Sequence, residues 1–480
     1  MLFNSVQYML FLPMVVALYY ALPPARRWPL LLGASYYFYM CWRPEYALLL
    51  LLSTAVDYWS AIQMAARTTR RARRPFLYLS LAGNLGLLFA FKYFNFFTSS
   101  IERAGRELGI LIDLPHLNIL LPVGISFYTF QTLSYAIDVY RGETRPERHF
   151  GYFALFVSYF PQLVAGPIER FDHLNPQLRQ PVRFDSANVR AGLQIMLWGF
   201  FKKIVIADRL AIYVNQVYGA PGDYAGLPLW LATYAFAVQI YCDFSGYSDI
   251  AVGTARILGH KLMVNFRTPY FARSIQEFWQ RWHVSLSQWF RDYVYIPLGG
   301  NRGGPARWYA NLCIVFLLSG LWHGANWTFA IWGALHGSYL VLSLATRKWR
   351  SAAAARMQFD RCPRLTAFGS WFVTLQLVIF AWIFFRAQST ADAWHIITHL
   401  LAPAQSPSWP PGFFTSADAA LAITSLALLF GAEAAAGDAP LAKLGATRWR
   451  VVAAPAYGLL MVFVLLAGTF GSQDFLYFQF

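Results

Sequence analysis

Charge is what this chain has least of. Asp, Glu, Lys and Arg make up only 13% of its 480 residues, while apolar residues reach 57% and aromatics 18%. Soluble proteins carry roughly twice that share of charge. The composition excludes a disordered, a disulfide-rich secreted and a collagen-like chain, and places the protein in a membrane. Acidic residues are the scarcer sign, 23 against 39 basic ones, for a formal net charge of +16. The basic residues form short clusters between apolar runs rather than a continuous stripe. That pattern sets membrane orientation and argues against nucleic acid as a partner. Cysteine is nearly absent: Cys41, Cys242, Cys313 and Cys362 stand far apart with no CxxC pair, so neither a disulfide framework nor a zinc site is indicated. No basic n-region or Ala-x-Ala-like cleavage site accompanies the run from 7 to 23, which is expected to be retained as a span. GxSxG, GxxxxGK[ST], HExxH and GxGxxG are all missing, which leaves serine-hydrolase, NTPase and metalloprotease chemistry without support.

What the chain does have is a succession of apolar stretches, at 7–23, 28–42, 44–62, 76–97, 117–139, 150–166, 191–213, 225–252, 308–322, 325–345, 366–386, 417–433 and 451–471. Several fall short of the ~20 residues of a straight span, so about ten to twelve crossings are expected, the rest being tilted, interfacial or re-entrant. The expected fold is an all-α polytopic membrane protein, one membrane-embedded domain over 1–480. No fixed-period repeat is visible. Arginine-rich loops at Arg26–Arg27, Arg67–Arg74, Arg141–Arg148 and Arg347–Arg364 are expected in the cytosol. The segment 387–416, with Pro403, Pro407, Pro410 and Pro411 and no basic residue, is expected outside, as is Phe480.

Chemistry concentrates in three places. In 265–304, Ser274 followed by Glu277 is a capping box, and Phe278, Trp282, Leu286 and Trp289 recur at near-helical spacing beside Gln280, Arg281, Gln288 and Arg291. The spacing predicts a helix too charged to cross lipid, lying at an interface or lining a cavity. His283 sits among its aromatic positions. In 319–337, His323 stands between two apolar segments, bracketed by Gly320 and Gly324, a small-xxx-small spacing that lets helices approach closely. A neutral imidazole there can serve as a general base or simply bond a carbonyl between helices, and the residues alone favour neither. If the ascending helix starts near Trp308, its fifteen residues rise only ~22 Å, and the turn at His323 stops short of the outer surface. His336 falls off the His323 face and reads as structural. In 239–253, Asp243 and Asp249 lie in an apolar stretch; pairing with Arg170, Arg267 or Arg281 is the expected role, with a proton relay as the alternative. The run from Gly299 to Gly304 is a weak anion nest.

Six motifs in fixed order, PVGISFYTFQTLSYAIDVYRG (122–142), FPQLVAGPIER (160–170), QIYCDFSGYSDIAVG (239–253), NFRTPYFARSIQEFWQRWHVSLSQWFRDYVYIPLGGNRGG (265–304), SGLWHGANWTFAIWGALHG (319–337) and a terminal FLYFQF (475–480), resemble the membrane-bound O-acyltransferase family. Within it they are most similar to the membrane subunits of bacterial alginate O-acetylation systems. The resemblance runs from the first span to the last residue. It implies a bacterial inner-membrane acyltransferase whose catalytic histidine carries over to His323, with His283, forty residues upstream, as the accompanying polar position. It further implies a cytosolic thioester donor such as acetyl-CoA, no bound cofactor or metal, an extracytoplasmic partner protein, and an exported polysaccharide as acceptor. Trp322 and Trp282 are then expected to wall the site, with Asn326 and Arg281 as polar groups toward substrate. D-alanyl transfer to teichoic acid, O-acetylation of peptidoglycan or cellulose, and a proton-coupled lipid or polysaccharide exporter remain as alternatives. The proline-rich segment 387–416 matches no family motif.

Overall fold

The computed structural model describes residues 1–164, 166–358, 361–403, 416–438, 441, 450–470 and 475–476. Among them every regular element is helical. Five helical stretches are long and apolar enough to cross a membrane: Glu45–Ala65, Arg70–Glu107, Trp327–Ala345, Pro363–Arg386 and Asp418–Ala436. Val6–Ala21 and Ala453–Ala467 are shorter apolar helices. The prolines at 407, 410 and 411 and the terminal Phe480 lie outside the described residues.

The chain divides into two compact units, Met1–Met196 with Tyr247–Val264, and Leu197–Gly246 with Asn265–Phe480. In the first, Glu45–Ala65 packs on Arg70–Leu88, and both pack on Ile125–Arg141. The expected span at 150–166 is not formed. Phe150–Ser158 is a nine-residue helix, which rises only roughly 14 Å, and a separate turn follows at Phe160–Leu163. The break has a local cause and a local remedy. Tyr159 leaves helical geometry just before Pro161, a residue that cannot donate a backbone hydrogen bond. The Phe160 amide donates to Ser35 Oγ instead, at 3.1 Å, and the carbonyl of Phe156 accepts from the side-chain amides of Gln131 and Gln162 at 2.8 and 2.9 Å. Irregular backbone is tolerated in a membrane protein where protein groups satisfy it in this way.

The same motif continues to Glu169, whose carboxylate accepts from the Met263 amide at 2.5 Å and meets His173 at 2.6 Å. Burial pushes the Glu169 carboxyl above its usual range, and its hydrogen bond raises the His173 pKa. These groups hold the short helix Phe171–Arg179.

In the second unit, Pro305–His323 and Trp327–Ala345 form a tight helix pair. Its closeness depends on glycine. A Cβ on Gly320 would lie 2.2 Å from the Phe329 carbonyl oxygen, and one on Gly333 2.3 Å from that of Phe316. The ascending helix begins at Pro305, not Trp308, so its 19 residues rise roughly 28 Å, nearly the ~30 Å hydrocarbon thickness. The turn after His323 therefore reaches closer to the far face than a start at Trp308 predicts. Pro363–Arg386 packs against Trp327–Ala345 and leads into the helix Thr390–His399.

Candidate active site

The segment 265–304 is where the structure departs most from the sequence pattern. The capping box is present: Ser274 Oγ accepts from the Glu277 amide at 3.1 Å, and Glu277 reaches back to the Arg273 amide at 2.7 Å. The helix it starts is only Ile275–Arg281 long. Trp282 is extended, His283 adopts the left-handed conformation (φ 42°, ψ 56°), and a second helix runs Val284–Phe290. The continuous amphipathic helix of the sequence reading is thus broken in two, and Trp282 and His283, both fully buried, do not lie at an interface.

A left-handed non-glycine residue costs on the order of 1–3 kcal/mol and persists only where its surroundings over-determine it. Here a neighbouring strand of chain does so. The Asn265 carbonyl accepts from the Val284 amide at 2.9 Å, Asn265 Oδ1 accepts from Ser285 Oγ at 2.7 Å, and the Arg267 amide donates to the Arg281 carbonyl at 2.9 Å. The bend is clamped from both sides of His283.

The bend carries the His283 ring to 6.4 Å from that of His323, centroid to centroid. His323 is the last residue of its helix, and its Nδ1 lies 2.7 Å from the Ser319 carbonyl. A carbonyl can only accept, so Nδ1 carries the hydrogen and Nε2 is the nitrogen able to take a proton. The His323 ring packs against Trp322, Trp332 and Phe385 at 5.0, 4.9 and 5.4 Å. Trp322 also faces His283 at 5.8 Å, and Phe244 meets His283 edge-on at 4.6 Å. Trp282 stacks on Phe278 and touches Trp382 at 5.0 Å. The two histidines therefore sit in an aromatic shell that excludes water.

A cavity of about 540 Å³ lies beside this shell, lined by Arg267, Gln276, Trp279, Gln280, Val284, Ser287, Gln288, Arg291, Tyr295 and Ser319 among others. Val284 follows His283 in the chain, and Ser319 is the residue that bonds His323. The lining mixes these polar groups with apolar ones, Leu286, Phe290, Leu312, Val315, Phe316 and Leu340. A second cavity, of about 600 Å³, is walled by Leu210, Leu231, Phe271, Leu375, Leu426 and other apolar groups and touches neither histidine.

The remaining sequence candidates have fixed duties. Arg281 pairs with Glu277 at 2.6 Å and donates to Thr268. Asn326 caps the helix Trp327–Ala345, accepting from the Thr328 amide at 3.1 Å and donating to the Gln388 carbonyl at 2.9 Å. His336 is buried and accepts from Trp279 Nε1 at 3.2 Å, a structural role. Asp249 is half-buried. Asp243 does not pair with Arg170, Arg267 or Arg281. Its partner is Lys203, which bridges Asp243 at 2.6 Å and Asp208 at 2.7 Å, all three buried. Lys203 was missed because it lies in an otherwise apolar run, 201–207, that adopts π-helical geometry; the adjacent pair Lys202 and Lys203 among apolar residues was the available signal. Asp243 also accepts from the Leu476 amide at 2.7 Å, and Phe475 meets Phe244 at 5.8 Å, so part of the terminal motif is anchored behind His283. Among the described residues, no group of three or more His, Cys, Asp or Glu is arranged to hold a metal ion.

Residues 143–386 match the family model of membrane-bound O-acyltransferases. The chain is similar to the probable alginate O-acetylase of Azotobacter vinelandii, 41% identical over 82% of this chain and 77% of the relative. It is also similar to the probable alginate O-acetylase of Pseudomonas aeruginosa, 42% identical over 82% and 74%. The peptidoglycan O-acetyltransferase of Helicobacter pylori is 34% identical over 83% and 79%.

Proposed function

The chain belongs to the membrane-bound O-acyltransferase family, and from that membership we propose that it takes an acetyl group from cytosolic acetyl-CoA and passes it across the bacterial inner membrane for O-acetylation of an exported polysaccharide such as alginate. The observation that carries this reading is the His323 geometry: a buried imidazole, fixed through Nδ1 to Ser319 and presenting Nε2, 6.4 Å from His283. A thioester is already activated. The protein therefore has to position it, keep water away and supply a base. His323 Nε2 removes the proton of the attacking hydroxyl as its oxygen bonds to the thioester carbonyl carbon. The carbon–sulfur bond then breaks, and the thiolate leaves with that proton. His283 orients the acyl group or the acceptor. Arg267 and Arg291 line the cavity beside the pair and suit the phosphates of a CoA donor entering from the cytosolic side. The acceptor hydroxyl arrives from the opposite face, offered by the polysaccharide or by an extracytoplasmic partner.

The test is transfer of label from [¹⁴C]acetyl-CoA by the full chain in proteoliposomes, with a D-alanyl thioester as the competing donor. Labelling by the D-alanyl donor alone, or none by acetyl-CoA in the presence of an acceptor extract, defeats the reading. In the same assay His283→Ala is expected to be impaired less than a base-deficient variant, because an orienting group contributes less than the base. A fully active His283→Ala protein removes His283 from the site. No further loss in the double variant beyond equal single losses shows the two histidines acting as one unit.

Orientation is checked independently. The loops Arg67–Arg74 and Arg347–Arg364 are expected in the cytosol, because clustered Lys and Arg resist translocation. Reporter fusions at both loops should give cytosolic signals; extracytoplasmic signals at both reject the topology and with it the direction of transfer.

A further inference from the structure

The first unit contains a buried carboxylate that the acyl-transfer site does not use. Asp57 lies in the span Glu45–Ala65 and is wholly buried. Its surroundings come from three helices, each contributing a pair at helical spacing: Ser53 and Ser60 flank it on its own helix, Ser80 and Asn84 lie on Arg70–Leu88, and Thr129 and Thr132 on Ile125–Arg141. Ser80 Oγ donates to Asp57 Oδ1 at 2.5 Å, and Asn84 Nδ2 contacts both carboxylate oxygens at 2.9 Å. Asn84 Oδ1 in turn accepts from Ser53 at 3.2 Å and Thr132 at 3.1 Å.

Two features stand out. Asp57 has no Lys, Arg or His partner among the described residues, although an ionised carboxylate in an apolar interior is expensive without a counter-charge. In addition, the hydroxyls of Ser60 and Thr129 are buried without a hydrogen-bond partner, and both sit one helical turn from residues of the cluster, on the same faces.

We infer that the Asp57 cluster is a binding site for a monovalent cation, sodium, that ties the three helices together. The oxygens on hand are those a hard cation prefers, the Asp57 carboxylate and the Ser60 and Thr129 hydroxyls, while Asn84 turns its NH2 to the carboxylate and its oxygen to Ser53 and Thr132. One carboxylate balances one positive charge, whereas a divalent ion leaves a net charge buried. A proton on the open side of Oδ2 is the rival occupant, and the dependence on sodium rather than on pH separates the two. Ser60 and Thr129 supply the oxygens that otherwise have nothing to bond.

The experiment is thermal unfolding of the detergent-solubilised full chain at pH 8 in NaCl and in choline chloride of equal ionic strength. Sodium is expected to raise Tm by about 3 °C or more at saturation, and ²²Na⁺ binding should show one saturable site. Asp57→Asn should abolish both. Thr129→Val and Ser60→Ala, which remove hydroxyls without protein partners, should fold and weaken sodium binding several-fold, so the inference can be judged even if Asp57→Asn fails to accumulate. Superposed curves in the two salts overturn it, as does a sodium response retained in Asp57→Asn or undiminished in the hydroxyl variants. A Tm that follows pH but not sodium overturns it in favour of a protonated Asp57.

Discussion

His323→Ala is expected to lower acetyl transfer by about 100-fold or more, the loss expected when a general base is removed, with insertion and folding retained. The expectation rests on one nitrogen. Because Nδ1 is held by the Ser319 carbonyl at 2.7 Å, the ring has a single tautomer available for catalysis, with Nε2 as the acceptor. Removing the imidazole also empties space between Trp322, Trp332 and Phe385, so the alanine variant combines chemical loss with a packing loss. His323→Gln separates them, since it keeps most of the volume and a donor toward Ser319 but has no basic nitrogen. Both variants should be comparably inactive while His323→Gln unfolds near the parental Tm. Activity within about two-fold of the parent protein in the glutamine variant is incompatible with a general base, and activity lost in alanine but kept in glutamine assigns His323 to packing.

Lys203→Met is expected to destabilise the protein by roughly 3–5 kcal/mol, the cost of removing one partner from a buried ion pair. Lys203 bridges Asp208 and Asp243 at 2.7 and 2.6 Å, and without it two buried carboxylates face each other uncompensated. Damage should also reach the site, because Asp243 anchors Leu476 and the adjacent Phe244 meets His283. Thermal unfolding and detergent-extracted yield measure the first effect. Combining Lys203→Met with Asp208→Asn and Asp243→Asn should recover part of the stability, since a neutral network of the same shape no longer buries unpaired charge. A single variant that melts within about 2 °C of the parent protein shows the lysine to be dispensable.

Much of the second unit was legible because its determinants are local. The Ser274–Glu277 capping box, the turn after His323 and the glycine spacing that seats one helix on another are written within a few residues of where they act. The periodicity that set His336 off the His323 face assumed one continuous helix, whereas the chain turns after His323 and His336 lies on the partner helix, bonded to Trp279. Periodicity misled over 275–291 for the same reason: Phe278, Trp282, Leu286 and Trp289 satisfy a helical pattern, but the hydrogen bonds from Asn265 and Arg267 that break the helix come from outside that window. At 150–166 hydropathy counted apolar residues and could not weigh Ser35, Gln131 and Gln162, whose polar groups make a broken helix affordable.

By itself the sequence determined membrane residence, all-helical class and family, since low charge, recurring apolar runs and contiguous motifs are one-dimensional properties. Tertiary structure alone decided that His283 leaves its helix to stand 6.4 Å from His323, that Lys203 is the partner of Asp243, and that Asp57 lies among hydroxyls from three helices. Each of those outcomes depends on which distant residue satisfies a buried polar group. In an apolar interior that choice is imposed by three-dimensional proximity, because no water is present to satisfy the group wherever it falls.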